Sequence, residues 1–147
     1  MAQHRIDIKR TATAKWTGDV PGGSGRIKSA SGAVDVAYSF NTRFGSEPGT
    51  NPEELLAASH GACFTMALAF ALTQAGHAPA TVDTTATVHL TRDEAGFSIP
   101  GIDLLTTASV PGLDDATFQQ IAEGAKKNCP LSKALASVPI TLTATLA

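Results

Sequence analysis

Residues 51–76 read NPEELLAASHGACFTMALAFALTQAG, and this stretch decides the fold. Asn51 is a residue type that caps helix starts, Pro52 suits the first helical position, and Glu54 falls where a capping box places its carboxylate. Gly76 supplies the stop. The spacing predicts a helix over 51–75, apolar nearly all round, with no formally charged residue from Leu55 to Gly76. About 20 apolar residues would suffice to span a membrane. Ser59, His60, Thr65, Thr73 and Gln74, the many alanines and the lack of flanking basic residues argue against a span. The reading is a helix buried at the centre of the fold or against a partner subunit.

On either side the pattern turns to strands. Val82, Thr84, Ala86, Val88 and Leu90 alternate with Asp83, Thr85, Thr87 and His89 over 81–91. The same period runs through Ile102, Leu104, Thr106, Ala108 and Val110, and again through Ile140, Leu142, Ala144 and Leu146. Upstream, 12–16, 26–29 and 33–40 read as short strands, and Gly22-Gly23-Ser24-Gly25 as a hairpin turn rather than a phosphate loop. Asp114 or Asp115 opens a second helix with the stripe Phe118, Ile121, Ala122 and Ala125. A short helix over 131–136 follows Asn128-Cys129-Pro130. Half-polar strands suit an antiparallel sheet wet on one face and covered by helices on the other. The expectation is a two-layer α+β fold with antiparallel sheets on long helices, in one domain over 1–147.

Composition narrows the function. The chain has 147 residues, 43% hydrophobic and 16% charged, with a formal net charge of −2, so nothing favours a nucleic-acid or anionic-membrane partner. Two cysteines and four scattered histidines build neither a disulfide scaffold nor a zinc site. The stretch Met1-Ala2-Gln3-His4-Arg5-Ile6-Asp7 has no apolar leader, and the expected compartment is the cytoplasm.

Reactive chemistry rests on few residues. Cys63 lies in the apolar helix, with His60 three positions before it, and the ordinary reading is a small buried hydrophobe. Cys129 precedes Pro130 and would cap the short helix, where backbone N–H groups lower a thiol pKa; alternatively it simply fits a helix corner. Arg43, between Phe40 and Phe44, is either a surface cation or one held near an apolar pocket, able to favour a thiolate. Glu54 has a capping task, which leaves Glu53 freer to pair with an arginine. His60 is either a base toward Cys63 or a histidine hydrogen-bonded in the helix interface. His4, His77 and His89 have no cysteine or carboxylate arrangement that marks a site, and Trp16 reads as a packing anchor.

Several motifs in collinear order resemble the osmotically inducible protein C (OsmC) branch of the OsmC/Ohr peroxidases. They are Trp16-Thr17-Gly18-Asp19, Asn41-Thr42-Arg43-Phe44, Gly49-Thr50-Asn51-Pro52-Glu53-Glu54-Leu55, His60-Gly61-Ala62-Cys63-Phe64-Thr65-Met66-Ala67 and Cys129-Pro130-Leu131-Ser132. The resemblance implies a thiol peroxidase that reduces organic hydroperoxides, built as an intertwined homodimer with two long central helices. It implies Cys63 as the peroxidatic cysteine, Cys129 as the resolving one, and Arg43 and Glu53 as the matched arginine and glutamate. It also implies no bound cofactor and an external dithiol reductant, in many members a lipoylated protein. Leu56, Phe64, Met66 and Phe70 are candidates to shape an apolar substrate pocket.

One geometric argument is independent of that resemblance. Glu53 and Cys63 sit ten residues apart on one helix, about 15 Å along the axis and roughly 80° apart around it. If they share a site, the glutamate must come from a partner subunit, across a two-fold. Two rivals stand beside the peroxidase: a Cys–His hydrolase using Cys63 and His60, and a non-catalytic ligand-binding dimer.

Overall fold

The alternating strands form as read in the computed structural model, which describes residues 5–147 and so leaves His4 outside the described residues. Contacts sort the chain into two compact units, one ending at Pro52 and one running from Glu53 to Ala147.

In the first unit, β1 (Ala12–Thr17), β2 (Ser24–Ser29) and β3 (Asp35–Tyr38) make an antiparallel meander in that order. The glycine-rich run lies in the β1–β2 hairpin. Its turn is tied by the Gly23 N–H to the Asp19 carbonyl at 2.8 Å and the Gly22 N–H to Asp19 Oδ1 at 2.8 Å. Trp16 anchors the turn by donating from Nε1 to the Gly18 carbonyl at 3.0 Å, and its ring packs against Tyr38 at 5.5 Å. A side chain at Gly25 would collide with both rings. Strand β3 stops at Tyr38, and 40–44, partly read as strand, is a helix, α1 (Phe40–Phe44). Ser39 and Thr42 cap its start reciprocally, which turns the chain before the alternation can continue.

The second unit holds α2 (Pro52–Gln74), one residue shorter at each end than the 51–75 expected. Gly76, at φ +85°, closes it in a Schellman turn, with the His77 N–H on the Leu72 carbonyl and the Gly76 N–H on the Thr73 carbonyl. Then come β4 (Thr81–Val88), a small hairpin of β5 (Thr91–Asp93) and β6 (Gly96–Ser98), β7 (Ile102–Ser109), α3 (Asp115–Asn128), α4 (Pro130–Ala134) and β8 (Ile140–Leu146). Strands β4, β7 and β8 form one sheet in that order. The β4–β7 pairing is antiparallel, but β7 and β8 run parallel, Ile102 opposite Ile140. The sheet is therefore mixed rather than all antiparallel. The physical reason is the helical crossover through α3 and α4, which a parallel pair requires.

One sheet face and the helices share the core. Phe64, Leu68 and Leu72 of α2 meet Ile102, Leu104 and Ala108 of β7 and Phe118, Ala122 and Ala125 of α3, all buried. A hydroxyl ladder links α2 to the sheet: Thr65 to Thr84 at 2.7 Å, Thr84 to Thr106 at 3.0 Å, and Thr106 to the Asp83 carbonyl at 3.0 Å. The other sheet face is polar apart from the exposed Leu105 of β7, as alternation requires. By length and hydropathy α2 could span a membrane, yet one side of it is built into this core.

Candidate active site

Helix α2 carries Cys63 on the flank turned toward α3, and Cys129 lies where α3 ends and α4 begins. Pro130 ends α3, because it cannot continue the ladder, and starts α4, because its fixed φ suits the first helical position. Cys129 is thereby held as the residue before α4, its N–H on the Ala125 carbonyl at 2.9 Å. Although far apart in sequence, the two sulfurs lie 3.0 Å apart and hydrogen-bonded, both cysteines as free thiols.

Access separates them. Cys129 is fully buried, whereas Cys63 is half-buried and opens on a cavity of about 810 Å³ between α2 and α3. Met66, Ala67 and Phe70 of α2 and Ile121 and Ala125 of α3 form its walls, with Pro130 at one end. Among the described residues none of its lining is charged.

The electrostatics follow from that apolar setting. Burial pushes the Cys63 thiol above its ordinary value, and the hydrogen bond with Cys129 pushes the same way, against a weaker pull from the Leu131 N–H. Burial also raises Cys129, but it is overcome by the bond from Cys63, the Ser132 N–H and hydroxyl, and the Leu131 N–H, and the result is lowered. Within this unit the two thiols are therefore pushed in opposite directions, Cys63 up and Cys129 down. An anionic Cys63 needs a cation that its own cavity does not contain.

His60 does not line the cavity that Cys63 opens on. It is fully buried, and its Nε2 is 2.9 Å from Ser132 Oγ, so the histidine hydrogen-bonded between helices is the arrangement found. Burial holds its pKa below the ordinary value of 6.5. Ser132, nearly buried on α4, was singled out only within the Cys-Pro-Leu-Ser motif, and its place three residues after the helix cap was the signal for a role.

Of the residues expected to shape a pocket, Met66 and Phe70 line the cavity. Phe64 does not. Its position one residue after Cys63 turns it about 100° around α2 into the sheet-facing core, where it is fully buried. Leu56, half-buried near the start of α2, is not among the lining residues either. Glu53 occupies the first turn of the same unbroken helix as Cys63, so the helical rise keeps the two apart within one chain. In the first unit, Arg43 lies on α1 with its guanidinium over the Phe44 ring at 5.1 Å. It lines a cavity of about 180 Å³ with Trp16, Val20, Tyr38 and Phe40. His89, read as marking no site, bonds Asp103 at 2.5 Å, and His77 is close enough to Asp114 to lower its pKa weakly.

A mixed α+β unit with two free thiols in contact, one open to an apolar cavity, defines a two-cysteine thiol protein. The family description OsmC-like protein matches residues 45–143. The chain is 46% identical over 131 residues to Peroxiredoxin OsmC of Escherichia coli (strain K12), covering 88% of this chain and 92% of that one. It is 35% identical over 137 residues to the organic hydroperoxide resistance protein of Xanthomonas axonopodis pv. citri (strain 306), with 90% and 92% covered. An organic hydroperoxide resistance protein OsmC of Legionella pneumophila superimposes with a TM-score of 0.74 at 26% identity, over 92% of this chain and 96% of that one. This chain belongs to the OsmC-like family.

Proposed function

We propose that the protein is a thiol-dependent peroxidase that reduces organic hydroperoxides to alcohols. The observation that carries this reading is the Cys63–Cys129 contact at 3.0 Å, with only Cys63 open to the apolar cavity. Relatives named for peroxiredoxin activity and organic hydroperoxide resistance support it.

In this reading the Cys63 thiolate attacks the terminal oxygen of ROOH. The O–O bond breaks, the alkoxide leaves and takes a proton as alcohol, and Cys63 becomes a sulfenic acid. Cys129, which the substrate cannot reach, condenses with it to the disulfide and water. An external dithiol, in this reading carried on a lipoylated protein, reopens the bond by exchange, and no bound cofactor takes part. The apolar walls from Met66 and Phe70 favour alkyl hydroperoxides over hydrated hydrogen peroxide. Arg43 is the cation that draws Cys63 to the thiolate and steadies the departing oxygen, and Glu53 orients the guanidinium. Glu53 and Cys63 of one chain are kept apart, so in this reading, where both serve one site, that site is shared across a homodimer. The outer face of α2 supports that assembly: Met66 is 78% and Phe70 65% exposed in the single chain. In this reading the protein works in the cytoplasm, where thiols are kept reduced.

The contact of His60 with Ser132 removes the base that a Cys–His hydrolase would require at Cys63. The test is steady-state consumption of an alkyl hydroperoxide with a small dithiol. Wild type should turn over and Cys63→Ser should not. Wild-type turnover no faster than the free dithiol would refute the reading.

A further inference from the structure

The mechanism above leaves one buried titratable group unused, His60, and one buried hydroxyl beside it, Ser132. Their 2.9 Å bond joins α2 to α4. Ser132 is the third residue of α4 after Cys129 at the cap. Its hydroxyl lies near enough to the Cys129 sulfur to act on that thiol, so Ser132 meets His60 on one side and Cys129 on the other.

The other imidazole nitrogen sets the direction of this chain. Nδ1 of His60 is buried with no hydrogen-bond partner among the described residues. A proton on Nδ1 would leave an orphaned buried N–H, which folded proteins avoid more strictly than an unused lone pair. The proton therefore sits on Nε2, which donates to Ser132 Oγ. With its oxygen accepting from histidine, the serine hydroxyl is left to donate onward, toward Cys129. Such an arrangement favours a sulfur that is an anion over one that must itself donate.

We propose that His60 and Ser132 form a one-way hydrogen-bond relay that holds Cys129 as the attacking thiolate of the resolving step. The proposal rests on the peroxidase reading and deepens it. The Cys129 thiolate attacks the sulfur of the Cys63 sulfenic acid, the S–S bond forms and the S–O bond breaks. The departing hydroxide takes up a solvent proton, in place of the one Cys129 released on ionising. His60 and Ser132 are positioning residues: neither touches the hydroperoxide, and neither gains or loses a proton in the cycle. Among the described residues, the titratable groups around the relay are Cys63 and His60 from α2, Lys126 and Lys127 from α3, and Lys133 from α4. The three lysines line a hollow with Ser132. The lysines are unchanged in the variants below, so the relay is read as a difference between proteins.

The experiment mixes reduced protein with an alkyl hydroperoxide, quenches at intervals, and follows sulfenic acid and disulfide separately by mass after trapping with a cyclic dione. In Ser132→Ala the first oxidation should keep its wild-type rate, while disulfide formation near neutral pH slows about tenfold to a hundredfold. That deficit should shrink as pH rises, since bulk hydroxide then makes the thiolate unaided. Ser132→Thr, which keeps the hydroxyl, and His60→Gln, which keeps a donor, should retain most of the rate, whereas His60→Leu should behave like Ser132→Ala. In a Cys63→Ser background, Ser132→Ala should raise the Cys129 thiol pKa. Folded Ser132→Ala protein that forms the disulfide at the wild-type rate at every pH would overturn the relay. So would an equal slowing at all pH values, which marks a merely structural role. A wild type that never loses its thiols to hydroperoxide would instead sink the peroxidase reading itself.

Discussion

Phe64 and Phe70 sit on one helix and face opposite fates, and replacing each by alanine tests how α2 is used. Phe64 is fully buried among Leu68, Leu104 and Phe118. Truncating such a side chain costs about 3–5 kcal/mol. That is a large share of the roughly 5–15 kcal/mol that stabilises a domain. At this size about 2–4 °C is lost per kcal/mol, so Phe64→Ala should melt about 6–20 °C below wild type. Phe70 is 65% exposed in the single chain, so its loss within the chain is about 1 kcal/mol or less. If a second copy covers that face, the remaining burial is lost twice over in a two-fold interface, about 2–4 kcal/mol, or roughly 30- to 1,000-fold in the dissociation constant. Thermal unfolding over a range of protein concentrations, with sedimentation on the same samples, separates the two. Phe64→Ala should lower the melting temperature at every concentration. Phe70→Ala should weaken assembly and flatten the rise of melting temperature with concentration. Equal losses for both would refute this division of the helix, and a Phe70→Ala protein that associates like wild type would refute the assembly face.

Other outcomes follow from the same structure. The folded chain holds the His60 pKa below 6.5, so below that pH the unfolded chain binds a proton that the folded chain refuses. Stability to urea should therefore fall between about pH 7.5 and about pH 5.5, and His60→Gln should lose less over that interval. A methyl group at Gly61 would meet Ala86 Cβ at 3.5 Å, an ordinary contact. Gly61→Ala should thus stabilise the helix by about 0.5–1 kcal/mol, read from urea midpoints. Ala67 lies one turn beyond Cys63 in the uncharged cavity wall, so a carboxylate there disfavours the thiolate. Ala67→Glu should slow peroxide-dependent loss of the Cys63 thiol by up to about tenfold relative to Ala67→Gln.

Particular elements show how far the sequence carried the fold. Helix α2 was readable because its proline start and its glycine stop are local, and each acts within one turn of the residue that signals it. The inward faces of β4, β7 and β8 were readable because alternation is imposed by burial on one side. Helix α1 was missed because its capping box uses Thr42 where glutamate or glutamine is the usual sign. The β5–β6 hairpin was missed because three-residue strands are too short to show a period. The parallel partnership of β7 and β8, and the His89–Asp103 bond, depend on which strands meet and in what register, which no local pattern encodes.

The site divides in the same way. Reactive residue types and the motifs around Cys63 and Cys129 are written in the chain, but the 3.0 Å between their sulfurs is a product of the fold. Phe64 was grouped with Met66 and Phe70 on residue type, and only the packing of α2 against the sheet shows that it faces the other way. The partner of His60 could not be read either, since Ser132 reaches it only through the crossover that returns the chain along α3.

The central claim is that Cys63 reduces the hydroperoxide and Cys129 completes the cycle as its disulfide partner. It is tested most directly by giving fully reduced protein one equivalent of an alkyl hydroperoxide and recording intact mass, free thiols and the cross-linked peptide. The account predicts loss of both thiols and two hydrogens, one Cys63–Cys129 peptide, and no reaction in Cys63→Ser. Cys129→Ser should instead hold sulfenic acid or its higher oxides at Cys63. A wild-type chain that kept both thiols, or that lost them as readily in Cys63→Ser, would contradict it.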